Sequence, residues 1–117
     1  MINAREIVNE IGEGGAKLAA MDEEFIGAFK AFDGAAGTGN GAIDAKQKEL
    51  ICVALAVSKL CKYCICAHVR GAYGAGATRA EIMAAAECAM IFGGGPTYAY
   101  SAAVLSAALD EFEHDFE

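Results

Sequence analysis

The chain has 117 residues and a formal net charge of −7, and its composition is 56% hydrophobic but only 21% charged. This length predicts a single domain over residues 1–117, and the acidic tail at residues 110–117 disfavours nucleic acid and anionic membranes as partners. A short chain this apolar has more hydrophobic surface than one small core can bury, which predicts a homo-oligomer. The amino terminus lacks an apolar signal core and the cysteine count is odd, so we expect a cytoplasmic protein.

The first half of the chain predicts two helices separated by a glycine-rich loop. Residues 3–32 place apolar side chains at helical spacing: Ile11, Leu18, Met21, Phe25, Phe29 and Phe32. Residues 33–41 form the predicted loop. Its glycines at residues 37–41 resemble a phosphate cradle only superficially, because no strand precedes them and no Gly-Lys-Ser/Thr follows. A second helix is predicted over residues 44–57.

The next two predicted helices have clear start signals. The third spans residues 59–73, with Ser58 as its N-cap. Thr78 and Glu81 have the spacing of a capping box, so they open a fourth helix, and Glu81 is expected to be a cap rather than a catalytic acid.

The last third of the chain is strongly apolar but is interrupted. Glycines at residues 93–95 end the fourth helix, and Pro96 begins the last one. Neither piece reaches the roughly 20 apolar residues that a membrane-spanning helix needs, so we expect buried helices and no membrane association. The complete pattern predicts an all-α protein without strands, repeats or a second domain.

The predicted third helix carries three cysteines and a histidine. If the segment is helical, Cys61, Cys64 and His68 lie within roughly a 60° arc of one face. Sulfurs one turn apart can close a disulfide, and His68 can take a proton from the neighbouring Cys64. The helix start, together with Lys59 and Lys62, favours a thiolate.

Glu49 precedes this group by more than three helical turns. On one continuous helix it would lie about 18 Å from Cys61. Glu49 therefore belongs to the site only if the chain breaks near Ser58 and the two helices pack side by side.

Spacing alone leaves redox chemistry, metal binding and inert packing open. Zinc could take Cys61, Cys64 and His68 as ligands, with Glu49 or Cys66 as the fourth. Structural zinc sites usually use two separated ligand pairs, and no second CxxC or HxxxH pattern is present. Cys66 lies about 140° round the helix from Cys61, so it points away from the group.

The two remaining cysteines, Cys52 and Cys88, occur in apolar helical stretches. They are predicted to be small core residues.

Four residues carry a resemblance to a known family: Glu49, Cys61, Cys64 and His68. Their pattern, Glu-x11-Cys-x2-Cys-x3-His, is similar to the active-site signature of the alkylhydroperoxidase AhpD-like branch of the carboxymuconolactone decarboxylase family. The flanks at residues 42–51 and 71–82 also resemble the family, and the likeness extends over about residues 20–112. The resemblance implies an AhpD-like helical bundle that assembles as a trimer or hexamer.

The resemblance also implies roles. Cys64 would be the attacking cysteine, Cys61 the resolving cysteine, and His68 with Glu49 the proton-transfer pair. The implied substrates are hydroperoxides or disulfides, an external dithiol would restore the site, and no metal or cofactor is expected. One departure concerns Tyr63, which stands where the best-studied type has a second histidine. A tyrosine is a poor base near neutral pH, with a pKa of about 10.

Two other functions stay open. The wider family is named for a lyase, so the chain could decarboxylate a small carboxylate lactone. That reaction needs an acid–base group and an anion-binding pocket rather than two neighbouring cysteines. The third possibility is a non-catalytic oligomer that binds thiols or zinc, which bound zinc in the purified protein would favour.

Overall fold

The computed structural model describes residues 1–38 and 41–117, and this part of the chain contains helices and turns but no strand. The helices are α1 (Ala4–Met21), α2 (Glu23–Thr38), α3 (Ala45–Ser58), α4 (Lys62–Gly74), α5 (Arg79–Gly93), α6 (Gly95–Tyr100) and α7 (Ser106–Phe112). A π-helical turn, Ser101–Leu105, joins α6 to α7. The predicted all-α fold is confirmed.

The prediction of one helix over residues 3–32 is wrong, because α1 and α2 separate at Asp22. The backbone of Asp22 leaves the helical region, with φ −151° and ψ 83°. Its carboxylate accepts a hydrogen bond from the backbone N–H of Phe25 at 3.1 Å and so caps α2. Periodicity alone does not reveal this break, since the apolar spacing continues across it.

The loop predicted over residues 33–41 is shorter than expected. Helix α2 continues to Thr38, whose hydroxyl donates a hydrogen bond to the carbonyl of Gly34 at 3.0 Å. Residues 39–40 of the predicted glycine-rich loop lie outside the described residues. Helix α3 begins after Asp44, whose carboxylate accepts from the backbone N–H of Gln47 at 2.7 Å.

A tight turn reverses the chain between α3 and α4. Ser58 ends α3, and Cys61 rather than Ser58 is the N-cap of α4, which corrects the predicted helix start. Leu60 adopts a left-handed conformation with φ 54°. The backbone N–H of Cys61 donates to the carbonyl of Ala56 at 3.2 Å. The break near Ser58 that an interaction with Glu49 required is therefore present.

The core lies between α3, α4, α5 and the α6–α7 segment. Its largest fully buried side chains include Val53, Val57, Ile65, Val69, Ile82, Leu105 and Phe112. The predicted capping box at the start of α5 is confirmed, with Thr78 and Glu81 each accepting from the other's backbone N–H. Pro96 lies in the first turn of α6, as predicted.

The first two helices lie on the outside of this core. Only Ala4 and Ile7 of α1 are buried, and α2 has no buried residue. The apolar side chains that the sequence places at helical spacing are all exposed: Ile11, Leu18, Met21, Phe25, Phe29 and Phe32. None of the described helices combines the length and apolar character needed to cross a membrane.

Candidate functional site

Two contacts fix the antiparallel register of α3 and α4. Glu49 meets His68 at one end of the pair, and Ala56 meets Cys61 at the other. The contacts are seven residues apart on both helices, so the register is regular between them. One turn inside these contacts, Cys52 of α3 faces the turn of α4 that carries Cys64.

Cys61 and Cys64 are joined by a disulfide, and their Cα atoms are 5.3 Å apart. Cys61 is the N-cap of α4, and its Sγ accepts a hydrogen bond from the backbone N–H of Cys64 at 3.2 Å. This position places the sulfur of Cys61 at the positive end of the helix dipole. When the disulfide is reduced, the same position favours the thiolate of Cys61.

His68 is held by a carboxylate from the neighbouring helix. Its Nδ1 lies 2.8 Å from Oε2 of Glu49. The hydrogen bond to Glu49 raises the pKa of His68, against the opposing effect of burial, and the negative charge of Glu49 adds to the increase. Because Nδ1 is engaged by Glu49, any proton exchange by this imidazole would use its other ring nitrogen, Nε2.

Gly71 makes room for the carboxylate of Glu49. A Cβ atom at this position would lie 2.7 Å from Oε2 of Glu49, well inside contact distance. Sequence reasoning missed this role. The available signal was a glycine inside a predicted helix, where it costs about 1 kcal/mol relative to alanine unless packing requires it.

Cys64 and His68 open onto a common cavity of about 180 Å³. Its other lining residues are Cys52, Leu55, Ala56 and Lys59. A cavity of this size is smaller than a typical ligand pocket of about 300–1,000 Å³, so it suits a small reacting group. Lys59, expected from the sequence to add positive charge near the cysteines, is part of the lining.

A second cavity of about 300 Å³ is also lined by His68. Its walls come from α3 and from the end of α2, and they include Glu49, Lys48 and Asp33. Both cavities are lined by His68 and Cys52. These two side chains therefore stand in the wall that the cavities share.

The structure corrects the predicted positions of Cys52 and Cys88. Cys52 is half-buried at the site and Cys88 is exposed on α5, so neither belongs to the core. Cys66 is fully buried away from the site, and burial raises the pKa of its thiol to about 11.

Tyr63 stands beside Cys64 but is turned outward. It is 45% exposed, and the Nζ atom of Lys62 lies 5.3 Å from the centre of its ring.

Within the described ranges, no group of three or more histidine, cysteine, aspartate or glutamate side chains is arranged to hold a metal ion.

Comparison with known proteins agrees with this architecture. Residues 23–107 match the model of the carboxymuconolactone decarboxylase family. The chain is 36% identical over 103 residues to "uncharacterized protein 4 in cox locus" of Paracoccus denitrificans, covering 88% of this chain and 87% of the relative. An uncharacterised protein of Cupriavidus necator is 35% identical over 101 residues, covering 86% of this chain and 85% of the relative.

A solved structure gives the same result. The apo form of a carboxymuconolactone decarboxylase family protein from Legionella pneumophila superimposes with a TM-score of 0.82 at 34% identity, covering 97% of each chain. Sequence and fold thus agree over nearly the whole length. The chain belongs to the carboxymuconolactone decarboxylase family.

Proposed function

We propose that the protein is a thiol-dependent oxidoreductase that reduces peroxides or disulfides through Cys61 and Cys64. The observation that best supports this function is the shared cavity of Cys64 and His68, with His68 held by Glu49. An oxidisable sulfur, a base and a group that stabilises the charged base are thereby brought together. The resemblance of these four residues to the AhpD-like signature supports the same function.

In the reduced protein, His68 accepts the proton of Cys64, and Glu49 stabilises the resulting imidazolium. The Cys64 thiolate attacks the distal oxygen of a hydroperoxide, the O–O bond breaks, and the leaving alkoxide takes the proton from His68 to depart as an alcohol. Cys64 is then a sulfenic acid. The thiol of Cys61 condenses with it, forming the disulfide and releasing water.

An external dithiol completes the cycle. Its thiolate attacks the Cys61–Cys64 disulfide, and a second thiol of the same molecule resolves the mixed disulfide, so two electrons return to the site. The N-cap position of Cys61 makes its thiolate a good leaving group, because a thiolate with a lowered pKa leaves faster. Reduction of a disulfide substrate uses the same exchange in the opposite direction.

The test is stopped-flow reaction of the reduced protein with cumene hydroperoxide, followed by a count of free thiols. We expect rapid loss of two thiols in the wild type and no such reaction in Cys64→Ser. Cys88→Ser is the matched control, because Cys88 is exposed on another helix and does not line the site cavity. Wild-type reaction in Cys64→Ser would contradict the proposal.

The name of the family supplies a second candidate, a lyase that decarboxylates a small lactone. Glu49 and His68 could provide its acid–base pair, and Lys59 could attract the carboxylate of the substrate. Release of carbon dioxide from such a lactone that survives Cys64→Ser but is lost in His68→Ala would favour the lyase.

We also propose that the protein is a cytoplasmic homo-oligomer, a trimer or hexamer as the family resemblance implies. The exposed apolar side chains of α1 and α2 support assembly, because monomers rarely leave large apolar patches in water. Light scattering coupled to gel filtration gives the mass directly. A monomer at micromolar concentration would contradict this part of the proposal.

A further inference from the structure

Cys52 lies within the site rather than in the core. The α3–α4 register places it opposite the turn that carries Cys64, and both side chains line the same cavity of about 180 Å³. Gly71 on α4 leaves no room for a side chain between its backbone and the carboxylate of Glu49 on α3, so the two helices pack closely. A third thiol is therefore within the same small space as the reactive sulfur.

We propose that Cys52 is a third redox cysteine, which closes a disulfide with Cys64 when Cys61 is not free to do so. This inference rests on the proposed function, since it takes Cys64 as the sulfur that becomes oxidised. The sulfenic acid of Cys64 condenses with the thiol of Cys52, so that one S–S bond forms, one S–O bond breaks and water leaves with the thiol proton. When Cys61 is a free thiol, it attacks Cys64, and exchange restores the Cys61–Cys64 disulfide and the Cys52 thiol.

The surroundings of Cys52 disfavour direct attack of its thiol on peroxide. Burial raises the pKa of Cys52, and the negative charge of Glu49 one turn earlier raises it further. The thiol of Cys52 is therefore mostly protonated at neutral pH and is a poor nucleophile toward peroxide. His68, which lines both cavities with Cys52, is placed to receive its proton during condensation.

Cys52 would give Cys64 a second means of protection against over-oxidation, in addition to Cys61. A sulfenic acid that meets no thiol reacts with more peroxide and becomes an irreversible sulfinic acid. When the thiol of Cys61 is blocked or already oxidised, Cys52 remains the thiol on the facing helix that can protect Cys64.

The test uses Cys61→Ser, which keeps an N-cap oxygen on α4, and the chemical oxidant diamide in place of a peroxide. Free thiols are then blocked with N-ethylmaleimide, and the protein is digested with trypsin without reduction. Cleavage at Lys48, Lys59, Lys62 and Arg70 puts Cys52 in the peptide 49–59 and Cys64 in the peptide 63–70. Fragment ions separate Cys64 from Cys66 within the second peptide.

We expect an intramolecular link between the two peptides through Cys52 and Cys64. The link should be absent in Cys61→Ser/Cys52→Ser and unchanged in Cys61→Ser/Cys88→Ser. Cys61→Ala serves as a second background if the serine variant folds poorly. A free Cys52 thiol after oxidation, with Cys64 in an intermolecular disulfide or linked to Cys66, would overturn the inference.

A second measurement connects the inference to peroxide chemistry. With excess cumene hydroperoxide, Cys61→Ser should form the Cys52–Cys64 disulfide, whereas Cys61→Ser/Cys52→Ser should accumulate sulfinic acid at Cys64. Equal sulfinic acid in both variants would contradict a protective role. Because diamide needs no peroxidase activity, a diamide-formed link without any peroxide reaction would refute the proposed peroxidase function and leave the Cys52–Cys64 pairing intact.

Discussion

The α3–α4 pair and the α1–α2 pair both carry many apolar side chains, but the surroundings of these side chains differ. Helices α3 and α4 bury Val53, Ile65 and Val69 against the rest of the bundle and hold the four residues of the proposed site. Helix α2 buries no residue, and the rings of Phe25 and Phe29 are more than half exposed. Helical periodicity therefore identifies a set of apolar positions, but it does not reveal whether the core of the same chain buries them.

The largest expected effect comes from truncating one side chain in each pair. Ile65→Ala, in the core, should lower the free energy of unfolding by about 2–5 kcal/mol, because it leaves a cavity. Phe29→Ala should change the stability of the dissociated chain by only about 0.5 kcal/mol or less, since its ring is exposed. Urea denaturation at low protein concentration measures both values, and equal losses would refute the distinction between the two pairs.

A methyl group added at one glycine of each helix pair should affect the peroxide reaction only in the α3–α4 pair. Gly71→Ala should push the carboxylate of Glu49 away from His68 and lower the rate of the peroxide reaction by about 10²-fold, the usual contribution of acid–base catalysis. Gly27→Ala on α2 is the control, because an added Cβ meets no atom within 4 Å. It should leave the rate unchanged, so a similar loss of rate in both variants would show a general effect of adding a methyl group.

The stability of the protein should depend on pH through the pairing of His68 with Glu49. Because the folded-state pKa of His68 is raised, the pairing with Glu49 stabilises the protein fully below the ordinary histidine pKa of about 6.5, and this contribution is lost as pH rises through the raised value. Glu49→Gln should return the His68 titration to lower pH and remove that part of the pH dependence. NMR titration of the imidazole protons checks this result, and identical His68 curves in the two proteins would contradict it.

The smallest effect is expected at the turn between the helices. Leu60 is held at φ 54°, a conformation that costs a side-chain-bearing residue about 1–2 kcal/mol. Leu60→Gly should therefore stabilise the protein by about 1 kcal/mol or less after the greater freedom of glycine in the unfolded chain is included. Leu60→Ala keeps the strain and is the control, so equal stability of the two variants would remove backbone strain from the explanation.

The sequence allowed prediction of the features that depend on local chemistry. The capping box at Thr78 and the neighbouring positions of Cys61 and Cys64 follow from residue type and spacing, and both are confirmed. The sequence could predict the pairing of Glu49 with His68 only conditionally. The pairing requires the chain to reverse between the two helices, and residue spacing alone does not show that reversal. The presence of Cys52 in the site could not be predicted, because its position depends on which face of α3 packs against α4.

Activation of Cys64 by His68 can be tested through the pH dependence of Cys64 alkylation in the reduced protein, measured by iodoacetamide labelling and peptide mass spectrometry. We expect half-maximal labelling below the ordinary cysteine pKa of about 8.5, a shift to higher pH in His68→Ala, and no shift in the α2 variant Phe29→Ala. An unchanged curve in His68→Ala would show that His68 is not the base that activates Cys64.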